Sequence, residues 1–324
     1  MAFADVLGQT HACQQLRHAM QQDALAHSWI FAGPEGVGKR LTALALVQGL
    51  LCQSPSHQTD GLPDSCGRCR SCRHLASWAH PDLHFVQPTS DKTQIVVEQI
   101  RAACQFLAMT AMEGRWKVVV IDDALAMNES AASALLKTLE EPSPQSLLIL
   151  LTTTPGRLLA TIRSRCQMLR FAPLSPPILT SLLERQTSVA LEVRQQAAQL
   201  AEGSMARAIT LCQPELVQMR DELMADLTTI ANQPLALLCS MAENWSERER
   251  FQQTLLLLRS WLRSNWHDHP VTRHWIAYSL WLEQINRTAA IYNLNRQLTL
   301  ESVFIRLQRL LILQQQRTVA MSGQ

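Results

Sequence analysis

Two hydrophobic periodicities divide the chain. In the first half and a little beyond, short apolar runs rich in β-branched residues alternate with stretches of helical period: Trp29 to Ala32, Val118 to Ile121, Leu147 to Thr152 and Gln167 to Phe171 against Arg40 to Leu51, Val96 to Leu107 and Ser130 to Glu140. Strand and helix in alternation predict an α/β fold, a parallel sheet covered by helices. Pro173 to Pro177 carries three prolines, which continue neither a helix interior nor a central strand, and the stretch is read as a linker. Beyond it, Ile178 to Arg185, Leu191 to Glu202 and Met205 to Cys212 predict a small three-helix unit. From Pro214 onward apolar residues recur at helical spacing, as at Val303, Leu307, Leu310 and Leu311, and no internal glycine interrupts them. The expected organisation is an α/β domain over 1–172, a three-helix domain over 173–213 and an all-helical domain over 214–324.

A length of 324 residues suits two or three domains of about 100–150 residues each. The formal charge is +2, from 29 basic and 27 acidic residues, so the whole chain offers no basic footprint for nucleic acid. No apolar run approaches the ~20 residues of a membrane helix, and residues 1–22 lack a basic-then-apolar secretory layout. A cytoplasmic protein with no membrane partner is expected. Of nine cysteines, four fall between residues 52 and 72, a distribution that favours a metal site over a disulfide framework.

The sharpest local signal is Gly33-Pro34-Glu35-Gly36-Val37-Gly38-Lys39-Arg40, placed after one predicted strand and before one predicted helix. In that context Gly33, Gly36 and Gly38 let backbone amides converge on phosphate, Lys39 adds a point charge and the helix N-terminus favours anions. One position departs from the pattern. A Ser or Thr after the lysine would hold Mg²⁺, and Arg40 has no hydroxyl and carries a like charge. The apolar run Val118 to Ile121 ends in Asp122 and Asp123; Asp122 matches the acid that orients Mg²⁺, and Asp123 stands where a hydrolytic member carries a longer glutamate. Both departures point to a nucleotide site whose hydrolytic parts have decayed. Cys52, Cys66, Cys69 and Cys72 have the spacing of a closed four-thiolate Zn²⁺ site, which is structural because no coordination position stays open. His57 and His74 stand as alternatives to Cys52. The isolated Cys13, Cys104, Cys212 and Cys239 are expected to be buried small hydrophobes.

Phosphate loop, four-cysteine insert, the run Ser133 to Pro142 (SALLKTLEEP) and Ser164-Arg165-Cys166 follow one another in an order that resembles the bacterial clamp-loader AAA+ family of DNA polymerase III, over roughly residues 1 to 210. His80-Pro81-Asp82 and the run Asn295 to Glu301 resemble its ATPase-deficient branch rather than the ATP-hydrolysing gamma/tau branch. Ala206, in the stretch Gly203 to Ala208, stands where active relatives carry an arginine, with Arg207 beside it about 100° around a helix. The resemblance implies an AAA+ core with a zinc module, a lid and an oligomerisation collar. It implies gamma/tau and delta subunits as partners, with the sliding clamp and primer–template DNA reached through the complex. It also implies that Arg165 acts in trans, as an arginine finger towards ATP bound by a neighbour, where a guanidinium is worth roughly 10³–10⁵ in rate. A pairing of Arg165 with a local acid is the competing reading. Thr153 matches a polar sensor position at the end of a strand. ATP or ADP binding, without hydrolysis, is compatible with the retained glycines and Lys39. Trp261, Trp266, Trp275 and Trp281 are either core or interface. Two further readings, an autonomous gamma/tau-like ATPase and a zinc module that reads DNA sequence, conflict with the three departures and with the low net charge respectively.

Overall fold

A computed structural model describes residues 2–58, 60–77, 79–88, 94–265, 272–291 and 294–322. By its internal contacts the chain divides into two compact units, residues 1–179 with 203–206 and residues 180–202 with 207–324.

The first unit is built on five parallel strands, which include the four predicted: β1 (Ser28–Ala32), β4 (Leu83–Val86), β5 (Lys117–Ile121), β6 (Ser146–Thr152) and β7 (Gln167–Arg170), in the order β4-β5-β6-β1-β7. A two-residue hairpin, β2 (Ser56–His57) with β3 (Pro63–Asp64), lies in the cysteine insert. The helices are α1 (Thr10–Gln21), α2 (Lys39–Leu51), α3 (Arg70–Ala76), α4 (Val97–Ala108), α5 (Glu129–Glu140) and the single turn α6 (Ala160–Arg163). Every residue of β1, β5 and β6 is buried, which is why these segments read as unbroken apolar runs. Alternation persists underneath: Trp29 and Phe31 join the core formed with Leu16, Leu46 and Val47, while Ile30 and Ala32 join the core with Ile100, Leu107 and Leu135. The sheet is therefore covered by α1 and α2 on one face and by α4 and α5 on the other. Asn128 starts α5 by accepting the Ala131 amide at 2.8 Å.

The prolines at 173–177 correct one expectation. Pro176 and Pro177 do not lie in a linker but open α7 (Pro176–Gln186), because a proline in the first turn gives up only an amide that the helix leaves unpaired. Two further helices follow, α8 (Leu191–Leu200) and α9 (Met205–Leu211).

The second unit is all-helical in its described residues: α10 (Pro214–Thr229), α11 (Leu235–Asn244), α12 (Arg248–Asn265), α13 (Thr272–Ile291) and α14 (Arg296–Ser322) follow α8. Leu216, Met219, Leu223 and Leu227 form the buried stripe of α10, and Val303, Phe304, Leu307 and Leu310 that of α14. The Asn295 side chain caps α14, accepting the Leu298 amide at 3.1 Å. Trp275 is core, 5.9 Å ring to ring from the half-buried Trp261, and Trp281 is half-buried under the Arg306 guanidinium at 4.1 Å. Trp266 lies outside the described residues. Cys13 and Cys212 are buried as expected, whereas Cys104 and Cys239 are only partly so, each on a helix face that reaches the surface.

One buried polar lock holds the sheet edge. The Asp82 carboxylate, with no exposure, accepts the amides of Met112 at 2.7 Å, Glu113 at 2.8 Å and Gly114 at 2.9 Å, and pairs with Lys117 Nζ at 3.0 Å. His80 accepts the Asp82 amide on Nδ1 at 3.0 Å and meets Ser71 Oγ through Nε2 at 2.8 Å, so the residues His80-Pro81-Asp82 tie the cysteine insert to β4. Burial works to raise the Asp82 pKa, but the three amides and Lys117 outweigh it and hold the group at about 2, below its usual 3.8. A depressed carboxyl stabilises fully above its unfolded pKa, so this contribution of about 2 kcal/mol is intact above about pH 4 and is lost as pH falls through about 2. Asp82→Ala is expected to cost about 3–5 kcal/mol in denaturant unfolding at neutral pH, because the buried Lys117 keeps the Pro81 carbonyl and the Phe106 ring but loses its carboxylate, and three amides lose their acceptor. The gap between the two proteins should narrow as the pH is lowered below about 4.

Candidate functional site

The predicted phosphate loop lies where its sequence places it, between the C-terminal end of β1 and the start of α2. Gly36 and Gly38 adopt φ of +71° and +101°, a region that side chains disfavour, and this turns successive amides inward. The amides of Val37, Gly38 and Lys39 donate to no protein acceptor among the described residues, as the open end of a helix requires. The loop is held from outside. Gln9 Nε2 donates to the Val37 carbonyl at 3.1 Å and to the Ala172 carbonyl at 2.7 Å, and the Met205 amide donates to the Gly36 carbonyl at 2.8 Å. Lys39 Nζ folds back onto the carbonyls of Gly33 at 2.7 Å and Pro34 at 2.6 Å. Burial lowers the Lys39 pKa, opposed by Glu35, Asp122 and Asp123.

Arg40 is the informative residue. Its Nη1 lies 3.3 Å from Asp122 Oδ2, and its guanidinium lies over the Phe85 ring at 4.5 Å. The acid expected to orient a magnesium ion thus faces a cation of the chain itself. Mg²⁺ demands near-octahedral oxygen ligands, and here the hydroxyl is missing and the carboxylate is engaged, so the residues present do not fit that ion. Asp123 adopts φ of +60°, a left-handed conformation that aspartate tolerates better than most residues. Ala206 packs against the loop, with its Cβ 3.1 Å from where a Gly36 side chain would begin, and brings no charge. Arg207 is committed elsewhere, to Glu202 at 2.6 Å, a carboxylate that Arg259 also reaches at 3.0 Å. Thr153 is exposed just past β6, whose Thr152 carbonyl accepts the Gly33 amide at 3.2 Å.

The four cysteines converge. The Sγ atoms of Cys52, Cys66, Cys69 and Cys72 all lie within 4.8 Å of one another, with Cys52 to Cys66 at 3.6 Å and Cys52 to Cys69 at 3.9 Å. A tetrahedron with metal–sulfur bonds of about 2.3 Å has edges of about 3.8 Å, so the cluster is able to hold a metal ion. The amides of Cys66, Cys69 and Cys72 each point at a sulfur of the set at 3.4 Å, which favours thiolates. The Arg68 and Cys69 amides hold Cys66 at about 6, whereas burial pushes Cys52 up to about 12. His57 is exposed on β2, and His74 Nδ1 faces Glu113 at 3.3 Å, so Cys52 is the fourth member. The insert is fastened to the core by Asp64, which accepts the amides of Phe3 at 3.0 Å and Ala4 at 3.2 Å. Buried Arg17 adds donors to Pro63, Leu62 and Asp60.

Arg165 stands at the other end of the same strand. Its carbonyl accepts Ser28 Oγ at 2.8 Å, at the N-terminal end of β1, and Cys166, raised in pKa by burial, lies against Ser28 as well. The guanidinium pairs with Glu140 at 2.6 Å and donates to the Thr161 carbonyl at 3.0 Å and Ser164 Oγ at 3.3 Å. Sequence reasoning did not name Glu140 as its partner, and no local pattern signals a pairing between a helix end and a turn 25 positions on. The Arg40–Asp122 pair did have a signal, a basic residue in a hydroxyl position. Packing adds one expectation. A Cβ on Gly36 would collide with Ser204 Oγ and lie 2.9 Å from the Ala206 amide nitrogen, whereas nothing lies within 4 Å of one on Gly38. Gly36→Ala should therefore lower unfolding stability by about 1–3 kcal/mol and more than Gly38→Ala, where backbone strain alone applies, as measured by urea denaturation.

A family model described as "DNA polymerase III, delta subunit" matches residues 8–175. DNA polymerase III subunit delta′ of Pseudomonas aeruginosa is 36% identical over 225 residues, covering 68% of this chain and 66% of that protein. The delta′ subunit of Yersinia pestis is 33% identical over 239 residues, covering 71% of this chain and 69% of that protein. The tau subunit of Escherichia coli is 33% identical over 214 residues but is covered over only 32% of its length. The chain spans between 52% and 66% of the length of the delta′ proteins of Pseudomonas aeruginosa, Bacillus subtilis and Escherichia coli. With its P-loop sheet, its four-cysteine cluster and these relatives, the chain belongs to the delta-prime-like family of AAA+ clamp-loader subunits in the DNA polymerase III system.

Proposed function

We propose that the chain is an ATPase-deficient member of a cytoplasmic clamp loader that lends Arg165 to the ATP site of a neighbouring gamma/tau subunit. In this reading it assembles with gamma/tau and delta subunits and helps to place the sliding clamp on primed DNA. Residues 173–213 serve as the lid, and residues 214–324 as the oligomerisation collar. The observation that carries the proposal is the Arg40–Asp122 ion pair, which leaves the chain's own site without the means to organise a metal-bound triphosphate. The strand polarity of β1 supports the second half. Its four residue steps of about 3.3 Å put Arg165 on the order of 13 Å from the phosphate loop before either loop is added, so the guanidinium cannot serve its own site. Leaving Glu140 costs little, since a half-exposed ion pair is worth about 0–1 kcal/mol, far less than the rate effect of a finger. Gly33, Gly36, Gly38 and Lys39 retain the form of a phosphate cradle, so ATP or ADP is read as bound without hydrolysis.

The test is reconstitution with gamma/tau and delta subunits in which only the adjoining ATP site is competent. Arg165→Ala should leave assembly intact and lower DNA-stimulated turnover at that site by on the order of 10³. An unchanged turnover would falsify the trans role.

The metal of the cysteine cluster is proposed to be zinc, with a structural role, on the grounds of its four sulfur donors and absence of an open position. Protein purified without chelators should contain one zinc per chain by elemental analysis, and Cys66→Ser should lose most of it. Stripping the metal is expected to expose residues 52–76 to protease while the β1–β6 core stays resistant.

A further inference from the structure

The mismatch between the phosphate loop and magnesium carries a conclusion about what the loop does bind. Three observations meet at one end of β1. Inward-facing amides at Val37, Gly38 and Lys39 offer donors without protein acceptors among the described residues. Lys39 Nζ rests on two carbonyls of the loop, a contact that a phosphate oxygen competes for directly. The Arg40 guanidinium, 3.3 Å from Asp122, occupies the space between the start of α2 and the end of β5 where the ion would have to be coordinated.

A polyphosphate bound by an ordinary P-loop faces a repulsive acid at the end of a nearby strand, here β5, one strand removed from β1, and the divalent cation bridges the two. Here the bridge is already part of the chain. A guanidinium has five N–H donors in a fixed fork, so Arg40 can keep one on Asp122 and present others to phosphate oxygens. Admitting Mg²⁺ as well would place two cations on one carboxylate, or require Arg40 to leave Asp122 and the Phe85 face together. We infer that this phosphate loop binds a di- or triphosphate chain without a divalent cation, with Arg40 as the built-in bridge to Asp122. The inference deepens the reading of an ATPase-deficient nucleotide site and rests on it. It also gives Asp122 a role other than metal binding: it orients Arg40.

Equilibrium dialysis of the full chain with ATP, ADP and pyrophosphate, each in excess Mg²⁺ and in excess EDTA, tests this. For the wild-type chain the affinities with and without metal should agree within about twofold. Arg40→Thr, a change at a half-exposed position that also restores the missing hydroxyl, should lose about tenfold in EDTA and recover on adding Mg²⁺. Asp122→Asn keeps a side-chain oxygen that accepts from Arg40 and removes the negative charge beside the phosphates, so it should bind at least as well as wild type in EDTA. ADP binding more tightly than pyrophosphate assigns the ligand as a nucleotide, and equal binding assigns it as any short polyphosphate; both support the metal-free mode. A wild-type requirement for Mg²⁺, no binding of any of the three ligands, or an unchanged Arg40→Thr would each overturn it. The trans role of Arg165 is read separately, by turnover in the reconstituted ring, so either proposal can fail without the other.

Discussion

A parallel strand has two chemically different ends, and β1 is inserted between β6 and β7 with all five of its residues buried. Its C-terminal end releases the chain into Gly33 and the phosphate loop. Its N-terminal end carries Ser28, whose hydroxyl holds the Arg165 carbonyl. The strand cannot slide by one residue without exchanging Trp29 and Phe31 for Ile30 and Ala32 between two differently shaped cores. Register therefore fixes the phosphate loop and the Arg165 backbone at once and keeps them at opposite ends of the strand.

The charges at the two edges follow one logic. At each, an arginine is held by an acid from a different element: Arg40 by Asp122 and Arg165 by Glu140. Neither pair is fully buried, so neither is an anchor of stability. The structural charges are elsewhere. Asp82 with Lys117, and Asp64 with its amides, are buried and fully engaged, and they clamp the cysteine insert and the sheet edge. Exposure separates these buried charges, which keep the fold, from the partly exposed pairs at the two ends of β1.

Much of this was legible in the sequence. The strands with continuous apolar runs, the loop glycines and the cysteine spacing each impose a local requirement that few residue types meet. β4 was not legible, because the strand is short and edge-placed and only Val86 of its four residues is buried. The prolines at 176 and 177 misled, since a residue that ends a helix interior is equally at home in a first turn. His80-Pro81-Asp82 was recognised by resemblance alone. Its reason, a carboxylate sunk beneath three amides 30 to 32 positions away, is a tertiary fact that no window of sequence contains. The partner of Arg165 was hidden for the same reason.

The clasp at Asp64 bears on the order in which the polypeptide can settle as it leaves the ribosome. Among the described residues, the amides of Phe3 and Ala4 and the guanidinium of Arg17 find their acceptors at residues 60 to 64, and β1 must wait for β6, about 120 positions later. The leading segment therefore stays unsatisfied until the cysteine module has emerged, and the sheet stays open until most of the first unit has been made. Such distant pairings favour slow closure and a long exposure of the Trp29 to Phe31 surface, which places the nascent chain among those that benefit from protection during synthesis.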